Sequence, residues 1–251
     1  MYYYIADPPQ SKADQQLLTT IRSRLVPEGI GGEFIFRTPG QSAHTLAAKA
    51  IAMGFTTLVC IGNEVLASEI AGALYDVPAA LGLIPVHASP ALHDLLGFRD
   101  WQTAIQVLRH RRLVLRDIGT INGERCFLTE ITITLPSSST YTIHTDLFTA
   151  TATAASLVAK LAGDIAPFNI PGVINFCIAE TTNSSWLYRL FQKNDYPTET
   201  ILRSEQAVVQ CREVAEVKHG GEIVAHTPVT LTVFPQAVRV IVARQGRATT
   251  G

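Results

Sequence analysis

Only four cysteines occur in 251 residues, Cys60, Cys126, Cys177 and Cys211, with no CxxC pair and no Cys/His cluster at zinc spacing. A disulfide scaffold and a structural zinc site are thereby excluded, and the four read as free core thiols of a reducing compartment. Charge of one sign is also missing: 20 Lys and Arg stand against 21 Asp and Glu, a net charge of -1. Without a basic excess there is no field to hold nucleic-acid phosphates, so no DNA or RNA partner is expected. No apolar run approaches the roughly 18 residues of a membrane span, and MYYYIADPP lacks the basic-then-apolar pattern of a leader. These absences predict a soluble, cytoplasmic protein. His87 and His93 have no Cys or carboxylate partner at metal spacing, so no metal ligands are assigned.

What is present is apolar: 47% of the chain is hydrophobic, enough for a sizeable core in one large domain or two small ones. Along residues 1 to 115 short apolar runs alternate with helical periodicity. Tyr2 to Ala6, Phe34 to Phe36, Leu58 to Ile61 and Ala80 to Val86 read as strands. Between them Leu18, Ile21 and Leu25, then Leu46, Ala47 and Ala50, then Leu66, Ile70 and Leu74 recur at helical spacing. Ser89 with Pro90, and Asp100, mark the starts of two further helices. Such alternation predicts an α/β domain with a mainly parallel sheet. Leu58 to Leu74 is its centre, because a buried strand that passes through Gly62, Asn63 and Glu64 into a helix is a phosphate-binding geometry.

From Arg116 the period changes to two. Ile131, Ile133 and Leu135 alternate with threonines, Pro136 to Thr140 reads as a turn, and Tyr141 and Ile143 as the return strand of a hairpin. Val229, Leu231 and Val233 alternate likewise. Residues 116 to 251 are therefore expected to form a β-rich domain of β-sandwich type, interrupted by a helix near Ala154 to Leu161 and an irregular stretch at Trp186 to Tyr196.

Together these pieces resemble the diacylglycerol kinase catalytic family, which includes sphingosine and bacterial lipid kinases and shares its fold with NAD kinases. The family's early Asn-Pro-x-Ser-Gly turn falls on Asp7 to Ser11, and its Thr before a Gly-Asp-Ala helix start on Thr38, Gly40 and Ala43. Its nucleotide loop, Gly-Gly-Asp-Gly-Thr-x-Asn-Glu, falls on Gly62, Asn63, Glu64, Val65, Leu66, Ala67, Ser68 and Glu69. Val114 to Leu128 is similar to the family's crossover into its β domain, Gly220-Gly221-Glu222 to its Asp-Gly-Glu motif, and Pro228 to Val242 to its closing segment, which returns to the first domain.

The resemblance implies ATP and Mg²⁺ as cofactors, a lipid substrate held in the second domain, and phosphorylation of a lipid hydroxyl with Glu222 as general base. It implies nucleotide contacts at Thr38, Gly62, Asn63, Glu64, Val65 and Leu66. The departures fall on the chemistry. Asn63, Val65 and Leu66 replace two glycines and the Thr of the loop, His87 to Ala91 replaces a Gly-Thr-x-Asn-Asp motif, and Ile170 to Asn175 replaces an acidic Mg²⁺ loop. Phosphoryl transfer rests on metal and positioned donors, so these losses together cost many powers of ten in rate. Two readings follow: a divergent ATP-dependent lipid kinase, or an inactive relative that binds lipid or a protein partner. The Arg109, Arg111, Arg112 and Arg116 cluster offers peripheral membrane contact through anionic lipid headgroups. Oligomeric state is not legible.

Overall fold

The computed structural model describes residues 1–38, 40–163, 168–180 and 199–243. The first half runs β1 (Tyr2–Ala6), α1 (Lys12–Leu25), β2 (Gly32–Phe36), α2 (Ala43–Ala52), β3 (Thr57–Gly62), α3 (Glu64–Ala73), β4 (Ala80–Pro85), α4 (Pro90–Leu96) and α5 (Trp101–His110). Among the described residues the second half is all strand: β5 (Leu113–Ile121), β6 (Arg125–Phe127), β7 (Glu130–His144), β8 (Thr149–Lys160), β9 (Ile174–Glu180), β10 (Glu199–Ser204), β11 (Gln206–Cys211), β12 (Glu216–His219), β13 (Glu222–His226) and β14 (Val229–Ile241). An α/β half with a parallel sheet thus precedes an antiparallel β-rich half.

Strands β2, β1, β3 and β4 lie side by side and parallel. Helices cover the sheet, so its strands are apolar on successive residues: Ile5, Leu58, Val59, Cys60 and Leu81 are all fully buried. Each aliphatic side chain among them contributes about 1.5–3 kcal/mol by leaving water. Two helix starts, at Ser89 and Asp100, follow the cap residues read from sequence, and Ser11 caps α1 in the same way. Ser11 accepts from the Asp14 N–H, Ser89 from Leu92 ahead of Pro90, and Asp100 from Thr103. The Thr103 bond holds the Asp100 carboxyl below its ordinary range. Gly97, at φ 77°, supplies the left-handed turn that ends α4. The chain leaves β1 to reach β2 on one side, then crosses to β3 on the other. That reversal opens a crevice at the C-terminal ends of the strands.

Two expectations are corrected. Pro136 to Thr140 makes no turn, because β7 is one 15-residue strand with an irregularity between Thr134 and Ser139. The inward residues Ile131 and Ile133 before the irregularity and Tyr141 and Ile143 after it all carry odd numbers, so the strand buries the same set of positions on both sides of it. Ala154 to Leu161 is no helix either. Its alanines belong mostly to β8, which pairs with β7 on one side and β9 on the other, and sheet pairing overrides helix propensity. The stretch Trp186 to Tyr196 lies outside the described residues.

The halves are one continuous sheet because β14 belongs to both. Its first residues pair antiparallel with β11, while Arg239 and Val240 pair parallel with Ala80 and Leu81 of β4. β5 runs beside it throughout, with a register shift between Phe234 and Val238 where the pair turns from one core to the other. Asp117 holds this corner. Its buried carboxylate accepts from Gln236 N–H at 2.9 Å and Gly172 N–H at 2.6 Å, and Gln236 sits at φ 50°. Asp117→Ala leaves two amides unpaired and is expected to lower stability by about 3 kcal/mol in urea unfolding. A loss below about 1 kcal/mol would mean that packing alone holds the corner.

Candidate functional site

A cleft of about 1030 Å³ lies at the C-terminal ends of the parallel strands, walled on its far side by Ile121, Cys126, His219, Glu222 and Val224 of the second half. Asp7 follows β1, Arg37 follows β2, Gly62 ends β3 and His87 follows β4, so each strand delivers one residue to it. Thr38, Gly62, Asn63, Val65 and Glu222, all assigned from sequence, line this cleft. Glu64 and Leu66 do not.

The expected three-residue turn after β3 is a single residue. Gly62 closes the strand, Asn63 is extended at φ -92° and ψ -177°, and Glu64 already opens α3. Asn63 is the N-cap: its Oδ1 accepts from both Val65 N–H and Leu66 N–H, each at 3.2 Å. These are the free amides that a helix N-terminus offers to an anion. Leu66 is turned inward, 1% exposed, with its side chain against Gly62, where an added Cβ would lie 2.9 Å from Leu66 Cδ2. Val65 is an ordinary helical residue, so no positive φ is asked of it.

Glu64 faces away from the cleft. It is buried, and its Oε2 accepts from Ser89 N–H at 3.1 Å, tying the start of α3 to the start of α4. Gly220 packs on the same corner, since a Cβ there would stand 2.9 Å from Val65 Cγ2 and 3.0 Å from Glu64 Cγ. An aspartate, the residue type of the resembled motif, has no room at this position. Glu222 is exposed on β13 at the cleft wall. Thr38 is exposed and donates its hydroxyl to Gln41 Oε1 at 3.0 Å, while Ser42 caps α2. In the stretch that resembles a metal loop, Asn175 is buried, donates to the Lys160 carbonyl and accepts from Arg203.

Three groups escaped the sequence reading. Arg37 bonds Asp7 at 2.6 Å and Glu69 at 3.1 Å, and Glu69 also accepts from Ala43 N–H at the start of α2. Asp14 pairs with His87 across the cleft mouth, and that bond, with Ser11, holds its carboxyl below the ordinary range. Ser68 and His219 join the halves. The Glu130 carbonyl accepts from His219 Nδ1–H at 2.9 Å, so Nε2 is left to accept from the Ser68 hydroxyl at 2.9 Å, and Ser68 Oγ accepts from Leu128 N–H. A signal existed for His219, which stands directly before the Gly-Gly pair. Arg37 and Asp7 could have been found as the first charged residues after their strands.

The cleft carries Asp7, Asp14, Glu69, Glu124 and Glu222 against Arg37 and Arg125, an unfavourable field for a polyphosphate. Among the described residues no group of three His, Cys, Asp or Glu side chains could hold a metal ion. With its loop amides taken and its cradle filled by Leu66, this site does not fit ATP and Mg²⁺. Burial pushes the thiols of Cys60 and Cys126 up, which disfavours their thiolate forms.

The Ser68–His219 link makes a measurable claim. Ser68→Ala and His219→Ala are each expected to cost about 2 kcal/mol, and the double variant less than their sum by about 1 kcal/mol. Additive losses in the double-mutant cycle would remove the link.

No protein-family model matches the chain, and no curated protein does. Solved structures do match. A "putative diacylglycerol kinase" from Bacillus anthracis str. Sterne is 16% identical, with 96% of each chain covered and a TM-score of 0.75. A structure of a diacylglycerol kinase from the same organism is 15% identical, covers 96% of each chain and gives a TM-score of 0.76. Another gives 14% identity, 96% of this chain and 97% of that one, and a TM-score of 0.76. Over nearly its whole length the chain therefore has the two-domain fold of these bacterial diacylglycerol kinase structures.

Proposed function

We propose that this protein is a lipid-kinase-fold protein that works by binding, as a lipid- or partner-binding module, and does not transfer phosphate. One observation carries the reading: Asn63 Oδ1 already accepts the Val65 and Leu66 amides, where a nucleotide phosphate would have to bind. Nothing else at the loop compensates, since Glu64 serves Ser89 and Leu66 fills the cradle. The residual cleft is large, partly apolar and lined by more carboxylates than guanidiniums. A neutral or amphipathic ligand suits it better than an anionic one. The fold likeness supports a lipid as the ligand class.

The alternative, an active ATP-dependent lipid kinase, is favoured by one feature, the exposed Glu222 carboxylate at the cleft wall. The two readings separate in a phosphoryl-transfer assay with labelled ATP, Mg²⁺ and diacylglycerol in mixed micelles. Incorporation is expected to stay at blank level in the wild type and in Glu222→Gln alike. Turnover that Glu222→Gln abolishes would overturn the proposal. Asn63→Gly with Val65→Gly frees the amides but leaves Leu66 in place, so ATP is expected to give no thermal shift until Leu66→Thr is added.

A further inference from the structure

The parallel sheet ends at β2. Its inner side pairs with β1 through every residue from Gly32 to Phe36, and its outer side meets no other strand among the described residues. Such an edge is a template for a further strand, and soluble proteins commonly blunt it with lysine, proline or a bulge. β2 carries none of the three. The direction of its main-chain groups follows from one bond. Arg37 N–H donates inward to the Ala6 carbonyl at 2.8 Å, and these groups alternate along a strand, so those of Phe34 and Phe36 point outward.

Along this edge the side chains read Glu33, Phe34, Ile35, Phe36 and Arg37. Acid and base stand at the two ends and aromatic rings flank the centre, so the order is its own complement when reversed. An antiparallel copy paired about Ile35 sets Glu33 opposite Arg37 twice, Phe34 opposite Phe36 twice, and Ile35 opposite itself. In the same register the outward groups of Phe34 and Phe36 face each other, each pair exchanging both N–H···O bonds. Aromatic and opposite-charge pairs across strands are the stabilising ones. The side chains are accessible for it: Glu33 is exposed, Phe36 is 38% exposed and Phe34 is half-buried. Arg37 spends Nε on Asp7 and Nη1 on Glu69, which leaves Nη2 for a carboxylate from outside. The opposite edge of the sheet lacks this symmetry. There Leu113 to Leu115 pairs with β14 alone among the described strands, and reversal about Val114 sets Arg112 against Arg116.

We infer that the protein forms a two-fold dimer in which β2 pairs antiparallel with β2 of a second copy, joining the two sheets into one. The contact is isologous, so it closes at two copies. It also reaches the cleft, because Arg37 lines the cleft and takes a further carboxylate from Glu33 of the second copy. Antiparallel strands point in opposite directions, so the two clefts open at opposite ends of the joined sheet. The inference stands whatever the cleft binds.

Sedimentation velocity over about 1–100 µM protein tests it, and a dimer is expected within that range. Phe36→Pro removes an exposed ring and an amide that bonds nothing within one copy, and is expected to raise the dimer Kd at least about tenfold. Glu33→Arg and Arg37→Glu each set like charges against each other at both ends of the contact, so each alone is expected to be monomeric. An equimolar mixture of these two variants is expected to regain the dimer, because together they restore opposite signs at both ends. An unchanged melting curve checks that each variant folds, and if Arg37→Glu does not, Phe36→Pro and Glu33→Arg decide alone. A wild-type monomer throughout the range would overturn the inference. So would a dimer that Phe36→Pro and Glu33→Arg both leave intact, by assigning the contact to another face.

Discussion

The bond between the Asn63 carboxamide and the amides of Val65 and Leu66 is the constraint on which the chemistry of the cleft depends. A helix begins with unpaired N–H groups, and whichever acceptor reaches them first decides what the helix end can bind. Here the acceptor is the residue immediately before the helix, held in place by the chain itself. An incoming phosphate would have to displace an intramolecular bond of negligible entropic cost. It would do so in a cleft whose ionised side chains are mostly carboxylates.

The substitutions around this bond form one packed unit. Leu66 lies against Gly62, Val65 and Glu64 lie against Gly220, and Glu64 reaches across to the backbone of Ser89. Because each side chain occupies space or donors that a nucleotide site would keep free, the lost motifs are coupled physically as well as chemically. The same corner carries the Ser68–His219 link between the halves. Glu64 O also lies 3.3 Å from His219 Nε2. What was a ligand cradle by resemblance has become part of the structural joint.

How much of this could be read from sequence follows from which interactions are local. The α/β order, its strands and the caps at Ser89 and Asp100 were legible because apolar period and cap chemistry act within a few residues. β7 and β8 were misread because a Pro-Ser run and an alanine run carry local turn and helix signals that only long-range pairing overrides. At the site, the glycine losses at Asn63 and Val65 were visible, but their consequence was not. Asn63 caps the helix and Val65 lies within it, so neither position needs the freedom of a glycine. Arg37, Asp7 and Glu69 meet only once β1, β2 and α3 are assembled, so their network has no local signature.

The central claim is that the Val65 and Leu66 amides are already engaged. It is tested most directly by following their ¹H–¹⁵N resonances during titration with ATP and Mg²⁺. The account predicts that both resonances stay in place at millimolar nucleotide, that their hydrogen exchange is slow, and that Asn63→Ala speeds it. Saturable shifts of these two amides in the wild-type protein would contradict it.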